Sequence, residues 1–272
     1  MTIAVVNDIH IGKDLLKDGY TRATSSQSEK KLPKVLDHIK KHSPDLLVNM
    51  GDLIRGESVE EDKKNFEKGI DMFDGLEFPV IHLLGNHEVK QLTVSDIISV
   101  WRKKNIEQEI IGSRIIQNVN FVWLDFDQTK SENGIDTFLS SKSLLALDQK
   151  LNNNYPAIIF THYVCTEQNL DGNFYFAKPR EIFSRYRNTS DIQSVIKKHK
   201  NILAIVSAHT HGLNLQTINK IPYITLPAMV ENITAPEINN NFPEIYTIID
   251  LSKNTLNIKC YSREFCFATL EL

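Results

Sequence analysis

Short apolar runs recur along this chain, and each stops abruptly at a polar string. Residues 3–6 run into Asn7-Asp8, residues 46–48 into Asn49-Met50-Gly51-Asp52, and residues 79–84 into Gly85-Asn86-His87-Glu88. Residues 157–160 run into Thr161-His162, and residues 202–206 into Ser207-Ala208-His209-Thr210-His211. Runs this short and this apolar read as buried strands. Between them lie segments of helical period: Leu32, Val35, Leu36 and Ile39; Phe66, Ile70 and Phe73; Val94, Ile97, Ile98 and Trp101; Leu144, Leu147 and Leu151; Ile192, Val195, Ile196 and His199. Strand runs alternating with amphipathic helices predict βα units, a sheet covered by helices.

The intervening stretches are less regular. Residues 12–31 read as a polar loop leading into the first helix, and residues 114–117 and 121–126 as paired strands. Residues 164–190 have little periodicity and carry Tyr175, Lys178, Arg180, Arg185 and Arg187, the composition of a surface loop or lid. After Gly212 the pattern shortens to alternating runs at 213–218, 223–226, 245–251 and 256–261, which predicts an antiparallel meander closing a second sheet. No linker rich in Gly, Ser or Pro divides the chain, so residues 1–272 are expected to form a single domain.

Composition narrows the class. The net charge of -3 argues against a nucleic-acid partner gripped by a broad basic surface. No apolar stretch reaches the roughly 18 residues a membrane helix needs, and residues 1–8 lack the pattern of a signal peptide. Cys165, Cys260 and Cys266 are an odd number without C-x-x-C spacing, which disfavours a disulfide framework or a thiolate zinc site and fits a reducing, cytoplasmic compartment.

The chemistry lies in the strand endings. An ionised Asp52 at the tip of a buried strand needs a positive partner. Asp8-x-His10, Gly51-Asp52, Gly85-Asn86-His87-Glu88, His162 and His209-x-His211 are carboxylates, an amide and imidazoles, a donor set suited to borderline divalent or trivalent metals. The carboxyl ends of neighbouring strands in an open α/β sheet share one crevice, so these groups can converge. Residues two apart on an extended strand point to the same side, whereas a loop at the strand end could splay Asp8 from His10 and His209 from His211. Any one of these signals alone is a common turn or surface residue; their ordered set is not.

That ordered set resembles the calcineurin-like metallophosphoesterase family, whose pattern is D-x-H, G-D, G-N-H-[D/E], H and G-H-x-H. The resemblance spans Asp8 to His211 and departs only at Ala208, where the family usually has glycine. It implies an α/β fold, a two-sheet sandwich flanked by helices in four αββα layers with a mainly antiparallel C-terminal part. It implies a dinuclear centre of Mn, Fe or Zn ions, one metal on Asp8, His10, Asp52 and His211, the other on Asp52, Asn86, His162 and His209. His87 matches the residue that contacts the scissile phosphate and stabilises or protonates the leaving oxygen, while Glu88 orients its neighbours or caps a helix. The implied reaction is attack of a metal-activated hydroxide on phosphorus in line with the departing oxygen.

Within the family, the chain length and the residue 44–52 lead-in look most like small bacterial phosphodiesterases acting on cyclic nucleotides or glycerophosphodiesters. Tyr175, Lys178 and Arg180 are the candidate substrate contacts. Two alternatives stand beside this reading: a DNA or RNA nuclease of the family, suggested by Asp8-Ile9-His10-Ile11-Gly12, and a non-catalytic scaffold, which should have lost ligands that are all present here.

Overall fold

The apolar runs become strands because each can be buried on both faces: residues 46–49 and 157–161 are buried throughout. The structure, a computed structural model, describes residues 1–17, 20–124, 127–131, 134–173, 175–176, 180–230, 244–253 and 255–271. It divides into two compact units, Met1–Gln108 with Pro227–Leu272, and Glu109–Leu226.

The first unit begins with β1 (Thr2–Val6), a hairpin of β2 (Leu15–Lys17) and β3 (Tyr20–Ala23), α1 (Ser28–Lys40), β4 (Leu46–Asn49) and α2 (Val59–Asp71). It continues with β5 (Val80–His82), α3 (Asn86–Gln91) and α4 (Val94–Lys103). The second unit holds β6 (Gly112–Ile116), β7 (Val119–Leu124), a hairpin of β8 (Asp127–Ser131) and β9 (Gly134–Phe138), α5 (Ser141–Leu151) and β10 (Ala157–Thr161). After it come α6 (Thr189–Ile196), β11 (Ile202–Ser207), β12 (Asn214–Ile218) and β13 (Ile221–Thr225). The chain then returns to the first unit with β14 (Ile245–Leu251), β15 (Leu256–Ser262) and β16 (Phe265–Glu271).

Each unit is built on a six-stranded mixed sheet with helices, so the α/β class expected from the sequence is what the chain adopts. In the first unit the order is β16-β15-β14-β1-β4-β5, with β1, β4 and β5 parallel. In the second it is β12-β13-β11-β10-β7-β6, with β13, β11, β10 and β7 parallel between antiparallel edges. The metal-type residues follow the carboxyl ends of β1, β4, β5, β10 and β11.

The expected single meander does not form. β12 and β13 pair with each other and join β11 through Ile205↔Tyr223, whereas β14 lies antiparallel beside β1 through Val5↔Thr247, in the other unit's sheet. Alternating hydrophobicity marks a strand but carries no record of its partner. β16 escaped detection because both of its faces are largely solvated, with Phe265 78% exposed. Residues 12–31 are likewise not all loop, since they include the β2–β3 hairpin and the start of α1. Val94 does not join the apolar face of α4: it is 49% exposed just after the cap Thr93, and Ile97, Val100 and Trp101 make the buried stripe. His199 lies beyond α6, its ring nitrogen 2.8 Å from Asp148 of α5.

One buried titratable group makes the first unit sensitive to acid. His82, at the end of β5, is 3% exposed, and burial pushes its pKa down from 6.5 to about 4. Its Nδ1 lies 3.3 Å from Asn49 Nδ2, and Phe73 packs edge-on at 5.0 Å. The unfolded chain therefore binds a proton in a range where the folded chain does not, and stability falls with falling pH. The expected loss from this group is about 3 kcal/mol between roughly pH 6.5 and 4. Urea midpoints measured across that range should fall less steeply in His82→Gln than in the native chain.

Candidate functional site

In the first unit, the loop after β1 runs alongside the loop after β4 and prolongs their parallel ladder. Asp8 N–H donates to the Gly51 carbonyl at 3.1 Å, His10 N–H to Asp52 at 2.8 Å and Ile11 N–H to Leu53 at 2.8 Å. Asp8 and His10 therefore stand beside Asp52 although neither belongs to a strand, so the i, i+2 pair is brought together by loop geometry and not by a strand face. All three adopt positive φ, at 51°, 53° and 52°. Left-handed backbone is sparsely populated by residues with a side chain and persists where the surroundings hold it, commonly at functional sites.

The three side chains are buried, Asp8 and His10 completely and Asp52 to 1% exposure. Each offers a ligand atom within 4.8 Å of the others. His10 Nε2 lies 3.9 Å from Asp8 Oδ1 and 3.8 Å from Asp52 Oδ2, and Asn7 Nδ2 donates to Asp8 Oδ2 at 2.6 Å. Two carboxylates and an imidazole this close and this dry are the donor set of a cation site, since like charges in a low dielectric otherwise repel and lose hydration. The residues fit a divalent or trivalent metal.

The glycines of Gly51-Asp52 and Gly85-Asn86-His87 prove to be one feature. A Cβ at Gly51 would sit 2.6 Å from Gly85 N, and a Cβ at Gly85 would sit 2.1 Å from Asp52 Oδ1. Only bare backbone lets the two loops approach. Glu88, fully buried, clasps them: Oε2 accepts from Asp52 N–H at 3.0 Å and Gly85 N–H at 2.6 Å, and Oε1 accepts from Ile54 N–H at 3.1 Å. It orients neighbours and caps the start of α3 together. Gly85→Ala should force the loops apart, destabilise the fold by about 1–3 kcal/mol and weaken metal retention. Thermal melts with metal analysis of the dialysed protein check this.

Asn86 opens α3 directly after Gly85, and His87 follows. The His87 N–H donates to Asp52 Oδ1 at 2.9 Å, and its ring Nδ1 meets the Arg55 carbonyl. Nε2 then faces the cluster, 3.9 Å from Asp52 Oδ2, with the ring edge-on to His10 at 4.7 Å. At 22% exposure His87 is more open than the fully buried Asp8 and His10.

In the second unit, His162 directly follows β10, and His209 and His211 follow β11, again at positive φ of 64° and 62°. Ala208 N–H donates to the His162 carbonyl at 3.1 Å, joining the two loops. Ala208 is buried and is not among the positive-φ residues, so alanine serves where the family usually has glycine. His162 and His209 are buried with ring centroids 5.1 Å apart and offer nitrogens within 4.8 Å. His209 Nε2 bonds the Phe183 carbonyl at 2.9 Å, which fixes the ring and turns Nδ1 the other way.

Residues 164–190 are not a solvated loop throughout, because Asn173, Phe176, Ser184 and Tyr186 are buried. Tyr163 and Phe176 pack on His209 at 4.0 and 4.9 Å between ring centroids. Asn173 Nδ2 donates to the Thr210 carbonyl at 2.9 Å, between the two histidines. Sequence reasoning missed Asn173 and Phe183, since an aperiodic segment carries no signal of what its side chains touch, and Tyr163, whose place beside His162 does not tell that its ring packs on His209. Of the candidate substrate contacts, Arg180 is exposed with its guanidinium 5.2 Å over the Tyr175 ring, and Tyr175 packs on Phe176 at 4.8 Å. Lys178 lies outside the described residues. Among the described residues no helix is long and apolar enough to cross a membrane.

Carboxylates and imidazoles gathered at the ends of parallel strands define a metal-binding α/β protein. The sequence pattern of the calcineurin-like phosphoesterases matches residues 1–213, and this chain belongs to that family. Family and ligand clusters together suggest a dinuclear metal centre. The chain is 23% identical over 244 residues to a probable cyclic nucleotide phosphodiesterase of Synechococcus, covering 88% of this chain and 84% of that one. It is 25% identical over 162 residues to an uncharacterized metallophosphoesterase of Campylobacter jejuni, covering 60% of this chain but only 38% of that longer relative. A dimetal phosphatase from Danio rerio has the same fold at a TM-score of 0.74 and 16% identity, covering 99% of this chain and 98% of that one.

Proposed function

We propose that this protein hydrolyses small phosphodiesters, of cyclic nucleotide or glycerophosphodiester type, at a dinuclear metal centre. The observation that carries the reading is the buried Asp8–His10–Asp52 cluster, held on left-handed loops at the family's motif positions. Asp8, His10, Asp52 and His211 would hold one metal, and Asp52, Asn86, His162 and His209 the other, with Asp52 shared. We take residues 1–272 as one catalytic domain, a reading supported by the family match over residues 1–213.

When bound, two such cations supply Lewis acidity, acidifying water and offsetting charge that grows on the phosphoryl oxygens. Asp8 and Asp52 supply the negative charge that holds them. His10, His162, His209 and His211 supply neutral nitrogens, and the Phe183 carbonyl fixes which face of His209 is offered. His87, the more exposed group, contacts the phosphate; with Nδ1–H held by the Arg55 carbonyl, it takes up a proton from solvent at Nε2 and gives it to the departing oxygen. Tyr175, Lys178 and Arg180 bind the rest of the substrate. The diester preference is supported by the Synechococcus relative, and a reducing cytoplasmic setting by three cysteines that are all thiols.

The test is to load purified protein with Mn and compare bis-p-nitrophenyl phosphate, p-nitrophenyl phosphate, cyclic nucleotides and single-stranded DNA. Faster turnover of the small diesters is expected. DNA cleavage without small-diester hydrolysis would replace this reading with a nuclease, and no hydrolysis at all with a scaffold.

A further inference from the structure

The loop that carries His209 and His211 is held in an unfavourable backbone conformation. Both histidines have positive φ, 64° and 62°, and the Thr210 N–H between them donates to the Ala208 carbonyl at 2.7 Å. That bond closes a three-residue turn centred on His209, and with positive φ at its centre such a turn is the rare, strained form. A loop of this kind persists only where its surroundings over-determine it.

Asn173 reaches this loop from the segment that follows β10. It is 5% exposed, and its amide is used at both ends: Nδ2 donates to the Thr210 carbonyl at 2.9 Å, and Oδ1 accepts from the N–H groups of Tyr175 and Phe176 at 3.1 and 3.0 Å. Turning the amide over would set its NH2 group against two N–H donors and its oxygen against a carbonyl, so one orientation alone satisfies all three bonds. The Thr210 carbonyl belongs to the peptide that leads into His211, and the bond from Asn173 fixes that peptide plane. The turn that Oδ1 closes sets Phe176 against the His209 ring, 4.9 Å between centroids. One buried amide thus braces both histidines, and the turn it braces them with also carries Tyr175.

We propose that Asn173 is a positioning residue: it ties the loop of His209, Thr210 and His211 to the turn of Tyr175 and Phe176, so that metal on the histidines and order in that turn support each other. Asn173 acts through these hydrogen bonds and not as a ligand. Coupling of this kind is reciprocal, so what the turn lends to metal binding the metal must return to the turn. The inference rests on reading His209 and His211 as metal ligands; it does not depend on which ester is hydrolysed.

Hydrogen exchange of the full chain, followed by mass spectrometry without metal and with saturating Mn, reads the coupling in the native protein. Mn should slow exchange about tenfold in peptides containing Tyr175 and Phe176, although neither residue is a ligand. In Asn173→Ala that slowing should disappear, and equilibrium dialysis should show Mn affinity lowered about tenfold. Asn201→Ala is the control. Asn201 Nδ2 bonds the carbonyls of Asn153 and Tyr155 at 3.1 and 2.7 Å at the opposite end of β11 from His209, so its loss should lower the melting temperature and leave Mn affinity native. If the alanine chain does not fold, Asn173→Ser takes its place: the hydroxyl can still accept within the turn but is too short to reach Thr210. Unchanged exchange at Tyr175 and Phe176 in the Mn-bound native chain would overturn the proposal. So would native Mn affinity in the folded alanine or serine variant, or an equal loss of affinity in Asn201→Ala. A chain that shows the coupling but hydrolyses no diester would overturn the functional reading alone, and one that binds no Mn would overturn both.

Discussion

Asp52→Asn is expected to lower phosphodiester turnover by at least about a hundredfold while leaving the fold intact. The fold survives because the backbone of residue 52 is held independently of its charge: the N–H donates to Glu88 and the carbonyl accepts from His10. Asparagine also tolerates the left-handed φ of 52° found there better than most residues, and its side-chain oxygen can still accept from His87 N–H. What it removes is the negative charge. In the proposed centre that charge is shared by both metals, so its loss weakens both. Turnover, metal content and far-UV circular dichroism measured on one preparation separate these effects. Native rates in metal-loaded Asp52→Asn would remove Asp52 from the centre.

His87→Ala should cut turnover by a similar factor, about a hundredfold or more, by a different route. The backbone N–H that bonds Asp52 remains, Asn86 and Glu88 keep their places, and alanine suits the first turn of α3. Metal content should therefore stay at the native level. The loss should grow as the leaving group becomes poorer, because an alkoxide needs the proton from Nε2 more than p-nitrophenolate does. Comparing a cyclic nucleotide with bis-p-nitrophenyl phosphate in this variant measures that dependence. Equal losses on both would assign His87 to holding the phosphate and not to proton donation.

The residues at the strand ends were legible because buried parallel strands are continuous apolar runs, and a carboxylate or imidazole at their tips stands out. What periodicity could not convey is how the tips are held. The i, i+2 spacing of Asp8 and His10 suggested a shared strand face; they are brought beside Asp52 instead by a left-handed loop laid along the loop after β4. The motif glycines were legible as turns, but not as the two sides of a single contact between Gly51 and Gly85. The same limit applies to the strands: alternation in residues 213–261 predicted strands without their partners, and the pairing divides them between two sheets.

The central claim is that two metal ions on these ligands perform the hydrolysis. Metal-stripped protein titrated with Mn, while hydrolysis of bis-p-nitrophenyl phosphate is followed, tests it most directly. Activity that is absent at the start, rises with added metal and saturates at two ions per chain is the result predicted. Full turnover in the stripped protein, or saturation at one ion, would contradict it.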